Sequence, residues 1–124
     1  MFKINEDLSI YATRGDAFSF NLTAMTSDGL YTFRPDDVVR FKVFERKACH
    51  CVELQKDTRV TEDTQEVVIS LTSEDTTIGD TISKPTDYWY EVELNPMTNP
   101  QTIIGYDEAG AKVFRLFPEG GNLV

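Results

Sequence analysis

Tyr88-Trp89-Tyr90-Glu91-Val92-Glu93-Leu94 is the stretch whose reading decides the fold. Tyr88, Tyr90, Val92 and Leu94 recur at every second position, with Trp89, Glu91 and Glu93 between them. Successive side chains of a strand point to opposite faces, so a period of two makes this a strand with one face on a core. An amphipathic helix would need a period of 3.6. The aromatic and β-branched residues suit a strand as well. With the Tyr-Tyr-Val-Leu face turned inward, Trp89, Glu91 and Glu93 share the outward one.

The same alternation recurs on either side. Phe18, Phe20 and Leu22 alternate with Ser19, Asn21 and Thr23. Val39, Phe41 and Val43 alternate with Arg40, Lys42 and Phe44, and Val67, Ile69 and Leu71 with Glu66, Val68 and Ser70. Weaker runs at 8–12, 49–54, 101–106 and 111–117 bring the expected total to about eight short strands. Asp28-Gly29 and the segment 107–110 supply turn residues that tolerate positive φ. The second lies between two runs, which predicts a hairpin of 102–106 with 111–117. Pro35, Pro85, Pro96 and Pro100 fall between runs, where a missing N–H costs no ladder bond. Thr72-Ser73-Glu74-Asp75 resembles a helix-capping box, but no apolar helical period follows it. One short helical turn is the most it supports. The expectation is an all-β chain, an antiparallel β-sandwich of immunoglobulin-like type; the clean polar face of several strands favours it over a small barrel.

The chain has 124 residues, enough for one domain spanning 1–124, with a core at about 8–119 and loose ends at 1–7 and 120–124. Acidic residues outnumber basic ones 21 to 12, a net charge of −9. That balance argues against a nucleic-acid partner, whose phosphates need Lys and Arg, and against an anionic membrane. Lys3, Glu6, Asp7, Arg14 and Asp16 interrupt the first sixteen residues, and no apolar run approaches a membrane span, so synthesis in a cytoplasm is expected.

Few residues are placed for catalysis. The single histidine, His50, sits between Cys49 and Cys51 on an expected strand, where neighbours point to opposite faces and a Cys–His dyad cannot meet. The two cysteines share a face, but one chain lacks the further ligands of a closed zinc site; a site shared between subunits is the metal alternative. Glu91 and Glu93 read as a solvated or partner-facing stripe rather than a glycosidase pair. Arg14-Gly15-Asp16 spells a tripeptide read by integrins, or else a turn into the next strand. Trp89 faces outward, and Trp is enriched at interfaces; it could alternatively stack on a sugar ring. Trp89, Glu91, Glu93, Arg14 and Asp16 are therefore the interface candidates. No catalytic residue, metal or cofactor is expected.

The order of these segments resembles a phage family, the N-terminal domain of the baseplate upper protein, found in tail and prophage structural proteins of Gram-positive hosts. The resemblance runs through Arg14-Gly15-Asp16 and the strand after it, then Val39-Arg40-Phe41-Lys42-Val43. It continues through Leu71-Thr72-Ser73-Glu74-Asp75-Thr76 and Tyr88 to Leu94, and closes on a last strand running into Pro118-Glu119. It covers roughly residues 8 to 119. The Cys-His-Cys segment departs from the pattern, and the chain ends just past it, where the family often continues into fibre parts. The resemblance implies a non-enzymatic virion protein made in the bacterial host. On it the chain is a tail or baseplate adaptor or fibre-attachment subunit, assembling as a homo-oligomer with other virion structural proteins. A capsid decoration or head-fibre protein is the nearest alternative, and a carbohydrate-binding module the alternative from another class.

Overall fold

Eleven strands and no helix make up the residues described by the computed structural model, 2–45, 52–79, 83–108 and 110–119. The strands are β1 (Phe2–Ile4), β2 (Ile10–Thr13), β3 (Phe18–Leu22), β4 (Met25–Thr26), β5 (Gly29–Leu30) and β6 (Val38–Phe44). They continue with β7 (Val52–Arg59), β8 (Val67–Leu71), β9 (Thr86–Leu94), β10 (Gln101–Ile104) and β11 (Lys112–Phe117). The fold is all-β, and all eight expected strands are present. β1, β4 and β5 are additional. Among the described residues no helix is long and apolar enough to cross a membrane.

The large sheet has the order β1-β2-β11-β9-β6-β7, with β10 also on β9. β3 and β8 form a second, two-stranded sheet, and β4 and β5 a small hairpin around Asp28 and Gly29, whose φ is +112°. The two principal sheets meet across a shared core. Phe20 of β3 packs edge-on against Phe41 of β6, with ring centroids 5.8 Å apart. Val67, Ile69 and Leu71 of β8 are buried together with Val39, Phe41, Val43, Tyr90, Val92, Phe114 and Leu116 of the large sheet. Burial alternates residue by residue along β6, β8 and β9, as a period of two requires.

Four expectations need correction. The sheet is not purely antiparallel, because β11 pairs with β2 in parallel. Between those strands the chain crosses to the small sheet and back, and such a crossover permits a parallel neighbour. Periodicity reports a strand's faces and not its direction. The hairpin of 102–106 with 111–117 does not form either. β10 and β11 lie end to end along the same side of β9, Gln101 opposite Leu94 and Lys112 opposite Tyr90. The Asp107–Gly110 turn exists, closed by Gly110 N–H to Asp107 O at 2.8 Å, but it is an excursion within one line of pairing. Residues 1–7 are not loose throughout: β1 pairs with β2, and the Phe2 ring stacks on Phe18 at 4.1 Å. Finally, the strand expected at 49–54 runs on to Arg59. Its polar end carries no alternation of its own and is held by pairing with β6.

The helical-turn reading survives in detail. Thr72 N–H donates to Asp75 Oδ2 at 2.9 Å, and Asp75 N–H donates back to Thr72 Oγ1 at 3.1 Å, a reciprocal box around a single turn.

One polar hub fastens the β9–β10 corner. Asp37 accepts from Tyr31 Oη at 2.8 Å, from Arg34 N–H at 3.0 Å and from Asn95 Nδ2 at 3.1 Å. Asn95, at φ +48°, also accepts from Val38 N–H at 2.9 Å. Burial pushes the Asp37 carboxyl up, but these hydrogen bonds outweigh it and hold it below its ordinary 3.8. The Arg40 guanidinium likewise holds Asp57 down, and Asp75 is held down by Thr72 and Lys56 against its burial. A carboxyl lowered in the folded state contributes stability that is present above its unfolded value and lost as pH falls through the folded one. Urea midpoints should therefore be level above pH ~4 and fall below it. Asp37→Asn should flatten that fall and lower stability near neutrality by about 1–2 kcal/mol.

Candidate functional site

The outward side of β9 puts Trp89, Glu91 and Glu93 on one open sheet face, as the alternation requires. Register then supplies their neighbours. Trp89 stands opposite Val113 of β11 on one side and Phe44 of β6 on the other, and Phe44 stands opposite Val52 of β7. Val113, Trp89, Phe44 and Val52 thus form one apolar row across four strands. Val52, at its end, is 45% exposed, and the other three are half-buried.

Charged rows flank it on both sides. On one side Arg115 forks onto Asp87, Nε to Oδ1 at 2.5 Å and Nη2 to Oδ2 at 3.2 Å, and its guanidinium lies 5.1 Å from the Tyr11 ring. On the other, Lys42 Nζ lies 3.2 Å from Glu91 Oε1 and 2.5 Å from Glu93 Oε1. Glu93 Oε1 is covered from solvent and is held by that charge rather than by an aligned hydrogen bond. Burial alone would lower the Lys42 ammonium, but Glu93 and Glu91 together raise it above its usual range. Beyond them Arg40 makes a two-pronged contact with Asp57, at 2.8 and 3.1 Å. Lys3 ends the Asp87 row on β1, so among the described residues of these rows four cations meet four carboxylates and the rows are neutral in a chain of −9.

Arg14 and Asp16 lie elsewhere. Arg14 is 7% exposed, its guanidinium donating to Ile78 O at 3.1 Å, to Gly79 O at 2.6 Å and to Glu119 Oε1 at 3.1 Å. Gly15, at φ +87°, donates its N–H to Thr76 Oγ1 at 3.0 Å, and that hydroxyl donates to Asp16 O at 2.8 Å. Asp16 itself is exposed. The Arg-Gly-Asp segment is a turn whose arginine faces inward. It also joins the Thr72–Thr76 turn and Glu119, three segments far apart in sequence.

Cys49, His50 and Cys51 lie outside the described residues. Among the described residues no group of three or more His, Cys, Asp or Glu is placed to hold a metal ion. The partners of Trp89 could have been found earlier: Phe44 shares the outward register of Arg40 and Lys42, an aromatic residue on an otherwise charged face. No family model, curated protein or solved structure matches the chain.

Proposed function

We propose that the protein is a non-enzymatic structural subunit of a bacteriophage or phage-tail-like particle, a tail or baseplate adaptor that works by assembly. The observation that carries this reading is the open sheet face, where an apolar row containing Trp89 is bordered by ion pairs. An aromatic centre inside a polar rim is the anatomy of a protein interface. The segments that carry the phage resemblance also support it.

The test is mass spectrometry of density-gradient-purified particles from the source culture, with and without prophage induction. Peptides of this protein at a fixed ratio to tail proteins are the expected result. A fixed ratio to capsid proteins alone would move the subunit to the head. Complete absence from well-formed particles would sink the structural reading. Trp89→Ser should reduce incorporation about tenfold or more, the loss expected of a tryptophan at the centre of an interface, where hot-spot residues contribute about 2 kcal/mol or more.

A further inference from the structure

We infer that the open face of the large sheet is a self-complementary surface that binds the same face of a second copy of this chain. The inference rests on the assembly reading and names the partner. Two facts select a second copy over other occupants.

The first is charge. A chain of −9 repels its own kind over most of its surface, and the described charges in the rows of this face sum to zero. The second is symmetry. A two-fold contact brings each residue onto the residue that its partner brings onto it. Place the axis along the strands, midway between β6 and β9. Trp89 then lies over Phe44 of the second copy, Glu91 over its Lys42 and Glu93 over its Arg40. Val113 lies over its Val52. All four pairs follow from the cross-strand register, in which each residue stands level with the one it would meet. The like-charge clash that usually opposes self-association is absent along these rows. Sheets stacked face to face tolerate the small crossing angle their twist imposes.

Only β11, β9, β6 and β7 overlap about this axis, and four strands at about 4.8 Å with roughly 20 Å of strand give a footprint of roughly 400 Å² per copy. That is about half the area of a standard specific interface. The dimer should therefore be weak and reversible, its concentration dependence visible toward about 100 µM.

The experiment is sedimentation velocity on the full chain up to about 100 µM, with Trp89 emission followed in parallel. Trp89 is the only tryptophan, so its fluorescence reports this face alone. The expected result is a shift from 14.1 kDa toward twice that mass, with emission moving to the blue over the same range. Lys42→Glu alone and Glu91→Lys alone should each be monomeric. An equimolar mixture of the two should recover the dimer, because each supplies the charge the other lacks. A wild-type monomer at the highest concentration, or a dimer with unchanged Trp89 emission, overturns the inference, whether or not either variant folds. So does a monomer whose Trp89 responds to soluble glycans, which is the carbohydrate-binding outcome. Incorporation into particles by a chain that stays monomeric overturns this inference and leaves the assembly reading standing.

Discussion

Phe41→Ala should remove about 4 kcal/mol of stability. Phe41 is fully buried, and its ring meets three others from three strands: Phe20 at 5.8 Å, Tyr90 at 5.5 Å and Phe114 at 6.1 Å. It is the point where the small sheet rests on the middle of the large one. Alanine forfeits the transfer energy of the ring and leaves a cavity the two layers cannot close, since the backbones of β6, β9 and β11 are tied to one another. The tilted and edge-on ring pairs add about 0.5–1.5 kcal/mol each beyond simple burial. A domain of this size holds only about 5–15 kcal/mol in total, so the variant should be close to its limit at physiological temperature. Urea unfolding should show a lower midpoint with an unchanged slope. Phe41→Leu, which refills most of the volume, should cost about 1–2 kcal/mol. A loss below about 1 kcal/mol for the alanine variant would mean that the layers are held together elsewhere.

The position of Phe41 was readable because the inward residues of β6 and β9 repeat at period two over seven and nine residues. Long strands buried on one face write their register into the sequence. Two- and three-residue strands cannot, and β1, β4 and β5 are legible only through their partners. Direction and pairing are not periodic properties either. Nothing local says that Lys112 continues the line begun by Gln101, because both strands are specified by the free side of β9. The outward trio of Trp89, Glu91 and Glu93 followed directly from the alternation. Its rows did not, since they depend on which strands lie beside β9.

Arg14 shows the opposite failure, a residue whose motif suggests the surface and whose neighbours, more than sixty positions away, bury it. Its guanidinium is planar, with donors fixed in a fork, and here that fork is shared among two backbone carbonyls and one carboxylate. Arg14→Ala removes all three bonds and leaves the carbonyl of buried Ile78 short of a donor, while that of exposed Gly79 can turn to water. The expected loss is about 3 kcal/mol, second only to that of Phe41. Arg14→Lys keeps the charge but presents a single point, which cannot serve three diverging acceptors. It should recover less than half of that loss. Gly15→Ala tests the same junction from the backbone. Its φ of +87° is strained for any side chain, and a Cβ there would sit 3.0 Å from Glu119 Oε1. Glu119 can swing away, but only by releasing Arg14, so this variant should cost about 1–2 kcal/mol. A double-mutant cycle of Arg14→Ala with Glu119→Gln separates the two contributions. Glu119 is 42% exposed, so a coupling of about 1 kcal/mol or less would assign most of the effect to the carbonyls. An Arg14→Ala protein as stable as wild type would reverse the assignment. The arginine would then be free for a partner, as its tripeptide first suggests.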